Sequence, residues 1–73
     1  MLKSHLKYRM VDKNIDDITQ LIELSGVSRN AINKLYRNRD LETLKLGTVI
    51  RLCEALDCQF SDIVEYIPEK KHE

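Results

Sequence analysis

Arg29, Asn30, Asn33, Lys34 and Arg37 fall within nine consecutive residues, at steps of three and four that would gather them on one side of a helix. Arg and Lys donate hydrogen bonds to guanine O6 and N7, and Asn pairs in bidentate fashion with adenine N6 and N7. Arg29, Asn30, Asn33 and Lys34 are therefore the candidates for reading base edges. Ser28, just before them, is a good N-cap; its hydroxyl and the free N–H groups of the first turn could meet a phosphate. Arg37 and Arg39 lie at and beyond the end of that helix, where a cation suits a phosphate better than a base. Without context, a basic helix face is most often merely solvated, so the surrounding elements decide.

Those elements read as five short helices. Leu2, Leu6 and Met10 recur at steps of four, which predicts a first helix of two to three turns ending near Asn14. Asp16 or Asp17 caps a second, with Ile15, Ile18, Leu21 and Ile22 on one face and Gly26 closing it. Ser28 opens the third, where Val27 packs against Ile32 as a staple and Ala31, Ile32 and Leu35 point inward. Leu46, Val49, Ile50, Cys53 and Leu56 mark a fourth, with Gly47 near its start. A fifth is expected from Ser61, stapled by Phe60, with Ile63, Val64 and Ile67 apolar and Pro68 ending it. No strand or repeat is expected. The domain should span residues 1–68, and residues 69–73 form a charged, frayed tail.

The stretch ITQLIELSGVSRNAINKLYRN, residues 18–38, then reads as helix, Gly-containing turn and capped helix. That is a helix-turn-helix, whose second helix enters the DNA major groove. The net charge of zero counts against this, but the charge is polarised. Through Arg39 there are eight basic and four acidic residues; from Asp40 onward there are four and eight. The basic half suits a polyanion, and the acidic half limits non-specific adhesion.

With 73 residues there is room for one domain and one modest core. Apolar residues never run beyond two in a row, so no membrane span or signal peptide is expected and the chain is placed in the cytoplasm. Cys53 and Cys58, spaced C-x4-C, could with His5 or His72 suggest zinc, but no second ligand pair has finger-like spacing. Reduced core thiols are the better reading, with no metal or cofactor. Tyr8, Tyr36 and Tyr66 are scattered; Tyr36 could flank a duplex, but a rim tyrosine fits better. Asp16-Asp17 and Asp62-Glu65 read as helix-start acids. No nucleophile–base pair or phosphate loop appears, so neither catalysis nor a small-molecule substrate is expected.

LIELSGVSRNAINKLYRN, followed by LKLGTVIRLCEALDCQFSDIVEY, resembles the Cro/CI-type (XRE-type) helix-turn-helix domains of bacterial and phage repressors, most of all their short stand-alone members. The resemblance covers residues 2–67 and implies an all-α, five-helix, lambda-repressor-like fold. It implies that Ser28 holds a phosphate, that Arg29, Asn30, Asn33 and Lys34 read bases, and that Arg37 and Asn38 belong to a backbone-contacting loop. One position departs: many members carry, at the second residue of helix two, a Gln that holds a phosphate, and Ile18 stands there. The anchor must come from elsewhere, either backbone N–H groups near Asp17 or a basic side chain of the first helix. The expected function is sequence-specific binding of double-stranded DNA to regulate transcription, as a repressor. A homodimer is expected, with Ile63, Val64, Tyr66 and Ile67 as spare apolar surface. The alternative is a protein-interaction module that keeps the fold without strong DNA binding.

Overall fold

The computed structural model describes residues 1–69, so the expectation for the tail beyond Glu69 lies outside the described residues. A short strand β1 (Leu2–Ser4) leads into helices α1 (Leu6–Asp12), α2 (Ile18–Ser25) and α3 (Arg29–Arg37). A single 3-10 turn (Leu41–Thr43) precedes α4 (Leu46–Leu56), the one-turn α5 (Phe60–Ile63) and strand β2 (Val64–Tyr66).

Local chemistry sets most of the helix ends. Asp17 caps α2 by accepting the Gln20 N–H at 2.8 Å, and the Gln20 side chain accepts the Asp16 N–H in return. Gly26 ends that helix at φ +72°, a left-handed conformation in which a side chain would be strained. Ser28 caps α3 by accepting the Ala31 N–H at 3.2 Å. Asn14, Asn38, Asp40 and Asp57 also sit at positive φ, the short polar side chains that tolerate it best.

The core is wholly apolar. Leu6 and Met10 of α1, Leu21 of α2, Ile32 and Leu35 of α3, Val49, Leu52 and Leu56 of α4, and Ile63 of α5 meet at its centre. Val27, in the turn before α3, and Ile15, before α2, close it from the connections. No polar or charged residue is buried among the described residues.

Five helices are present, with a two-stranded ribbon added to the expected fold. The first helix begins at Leu6, not Leu2, because residues 2–4 pair antiparallel with 64–66 in the register Leu2↔Tyr66, Ser4↔Val64. The ribbon is extended by Met1 and Ile67, which exchange two backbone hydrogen bonds of 2.7 Å. It also changes the fifth helix: this starts at Phe60, capped by Gln59, and stops after one turn, so Val64 and Tyr66 belong to a strand and Pro68 follows β2. Ile63 is fully buried and offers nothing to a second copy. On α4 the inward face runs through Leu52, while Leu46 and Ile50 of the expected stripe are exposed.

Candidate nucleic-acid interface

Helices α2 and α3 are joined by Gly26, Val27 and Ser28, and the turn is held by side chains at both ends. Ser25 donates from its hydroxyl to the Leu21 carbonyl and accepts the Val27 N–H, so α2 closes just before the left-handed Gly26. Val27 then turns inward and Ser28 restarts the helix. Because Ile32 and Leu35 are buried and Ala31 half-buried, the opposite side of α3 faces solvent, with Asn30 and Arg37 exposed and Asn33 and Lys34 half-buried.

Asn30, Asn33, Lys34, Arg37 and Arg39 come together there, lining one shallow depression with Asp40. Lys34 donates from Nζ to the Thr43 hydroxyl at 2.9 Å, which itself donates to the Asp40 carbonyl at 2.7 Å; the 3-10 turn thus holds the ammonium at the edge of α3. Arg39 is positioned through its backbone, whose N–H donates to the Lys34 carbonyl at 2.9 Å.

Arg29 is placed differently. It lies on the flank facing α2, where its guanidinium donates to the Thr19 hydroxyl at 3.1 Å and lines a separate concavity with Asp16, Asp17 and Ile18. Asn38, just past α3, is in the left-handed region at φ 58° and accepts the Ser4 N–H on Oδ1 at 2.8 Å. Its side chain ties β1 to the end of α3, and only its NH2 group is left for a ligand. Ser28 Oγ is occupied as an acceptor, but its O–H can still donate.

The electrostatics match this placement. Ion pairs among the described residues are Arg9–Asp12 and Arg9–Asp62, and His5 Nε2 is hydrogen-bonded to Glu65; none of them involves a residue of α3. Arg29, Lys34, Arg37 and Arg39 enter none of them, though Asp40 lines the depression with the last three and Asp16 and Asp17 lie beside Arg29. Thr19 and Thr43 escaped the sequence reading: each is ordinary in its own segment and gains a role only because the fold brings it to Arg29 or Lys34.

The two thiols lie at the C-terminal end of α4. Asp57 and Cys58 both donate backbone N–H groups to the Cys53 carbonyl, the closure that brings a residue just beyond a helix onto its last turn. Burial raises both thiols above their ordinary value. Both are half-buried against the core, as core thiols.

The profile of the Cro/C1-type HTH DNA-binding domain matches residues 5–69. The chain belongs to the Cro/C1-type helix-turn-helix family. It is also similar to the uncharacterized HTH-type transcriptional regulator YozG of Bacillus subtilis strain 168, with 32% identity over 57 residues, 78% of this chain and 67% of that protein. Against the Cro/C1-type pattern, Ile18 proves to be the first residue of α2, not its second, and is half-buried with no donor to offer. No helix among the described residues is long and apolar enough to cross a membrane.

Proposed function

We propose that this Cro/C1-type domain is a sequence-specific regulator of transcription that reads the major groove of double-stranded DNA with α3. The observation that carries the reading is the outward side of α3: a capped helix whose Asn and cationic side chains converge, with no carboxylate paired to them. Asn30, Asn33 and Lys34 read base edges, and Arg29 does so from the α2 flank. Ser28, Arg37, Asn38 and Arg39 hold phosphates and set the register. The name of the similar Bacillus protein supports a role in transcription.

The regulator acts in the cytoplasm as a repressor, by occupying its site, and carries no catalytic activity. Its working form is a homodimer, since one such module buries only about 600–1,000 Å2 on DNA and a symmetric pair doubles the bases read. Ile63 is buried, but Tyr66 of the expected surface stays exposed, and Leu46, Ile50 and Phe60 are among the other exposed apolar side chains that could meet a second copy. Sedimentation with and without DNA should show two chains per site.

Selection from a random duplex pool supplies the site, and variants then test the assignment. Asn30→Ala or Lys34→Ala should cost about 1–3 kcal/mol on the selected duplex and relax preference at particular bases. Arg37→Ala or Arg39→Ala should weaken selected and scrambled duplexes alike and make the salt dependence shallower by roughly one phosphate each. If Asn30→Ala and Lys34→Ala both fold and bind the selected duplex as tightly as the parent, α3 is not the reading helix and a protein partner becomes the better explanation of this face.

A further inference from the structure

A second concavity lies between α1, β1 and the C-terminal end of α3; the cations Lys3, Lys7 and Arg37 line it with Ser4 and Asn38, over a floor of apolar and aromatic side chains that includes Tyr36, and no carboxylate is in its lining. Lys7 Nζ sits over the Tyr36 ring, 4.7 Å from its centre, which fixes the ammonium against the flank of α3. Two residues further along α1, Arg9 is paired with Asp12 and Asp62, whereas Lys3, Lys7 and Arg37 form no ion pair among the described residues. The Asn38 carboxamide is oriented by its bond to the Ser4 N–H, which leaves its NH2 group as a donor at the same place. Arg37 lines both this concavity and the depression on the exposed side of α3, so the two surfaces are continuous.

The start of α2 contrasts with this. Ile18 has no polar atom in its side chain, and in the concavity beside it Arg29 shares the lining with the carboxylates of Asp16 and Asp17, which offset its attraction for a phosphate.

We propose that Lys3, Lys7 and Tyr36, together with Arg37 and Asn38, seat a phosphate of the DNA backbone and replace the anchor that Ile18 cannot provide. This rests on the DNA-binding reading above. Lys3 and Lys7 supply the charge, Tyr36 holds Lys7 in place, and Asn38 supplies a directed neutral donor. The contact carries no base information, so it sets affinity and register, not preference.

The test compares the parent, the double variant Lys3→Gln/Lys7→Gln, Tyr36→Leu, and a control Lys13→Gln outside the concavity. Anisotropy with the selected and a scrambled duplex is followed over a fourfold range of salt, with folding checked by circular dichroism. The double variant should weaken both duplexes by the same factor, and its slope of log affinity on log salt should be shallower by about 0.9, one phosphate's worth; over that range it then loses about 3.5-fold less affinity than the parent. Tyr36→Leu should bind roughly two- to fivefold more weakly at the lowest salt with the parent's slope. Lys13→Gln should match the parent. A double variant with the parent's slope and affinity overturns the proposal, as does a Lys13→Gln loss as large as that per lysine in the concavity, which would show a diffuse field instead of a seat. A parent that binds neither duplex brings down the DNA-binding reading itself, a result distinct from either of these.

Discussion

Asn38 both ends α3 and fastens the N-terminal strand, through a left-handed backbone and an Oδ1 that accepts from Ser4. The two roles are separable. Asn38→Gly keeps the backbone conformation and removes the acceptor, which should cost about 1 kcal/mol; Asn38→Ala adds a left-handed penalty of about 1–2 kcal/mol. Urea unfolding of the two variants checks the order, and equal midpoints would show that the left-handed backbone contributes nothing. At this scale the sequence was legible wherever the partner is local. Asp17, Gly26 and Ser28 serve amides within a few residues, and their types alone give their roles away. The Asn38–Ser4 bond spans 34 residues, and the Thr19–Arg29 and Lys34–Thr43 bonds ten and nine. No spacing rule reaches those distances, because they depend on how the helices pack.

Among the elements, α2 and α3 lie where caps and periodicity put them, and the errors gather at the two ends of the chain. Leu2, Leu6 and Met10 keep a helical period although Leu2 is in a strand, since a three-residue strand is too short to display its own alternation. Its conformation is decided by residues 64–66, which the same reading had placed in a helix. On α4 the choice of Ile50 over Leu52 came from a spacing that both satisfy about equally, and only packing against α2 and α5 separates them. The glycines at the element boundaries make opposite predictions. A Cβ at Gly47, in the first turn of α4, would meet nothing within 4 Å and φ is not positive, so Gly47→Ala should stabilise by about 0.4–1 kcal/mol. Gly26 has the same free space but φ +72°, so Gly26→Ala should destabilise by about 1–2 kcal/mol. Thermal melts of the two proteins should move in opposite directions; a gain at both positions would mean that the left-handed turn before Val27 can relax.

For the molecule as a whole, a net charge of zero conceals a division of labour. The cations of the first half lie along α1, β1 and the exposed side of α3, mostly unpaired, while Arg9 is used to join α1 to Asp62 of α5. The charge asymmetry along the chain was visible in the sequence; its grouping into two joined concavities depends on the ribbon that draws Lys3 beside Lys7, and was not.

That ribbon also bears on the order in which the protein assembles. It joins residues at opposite ends of the chain, Met1 to Ile67, a separation of 66. Closing so long a loop from an unfolded chain costs about 3–4 kcal/mol, more than two three-residue strands with no fully buried side chain return. The ribbon can therefore form only after Leu6 and Ile63 have brought the ends together in the core, and it closes last. By the same reasoning it opens first, without the helices. In native-state hydrogen exchange the Ile67 amide, bonded to Met1, should exchange through a small local opening, whereas the Leu52 amide in α4 should wait for global unfolding. Equal opening free energies at the two amides would instead make the ribbon part of the cooperative core. If it does open alone, each opening carries Lys3 away from Lys7 while α3 keeps its shape, so grip on a phosphate could fluctuate independently of base reading.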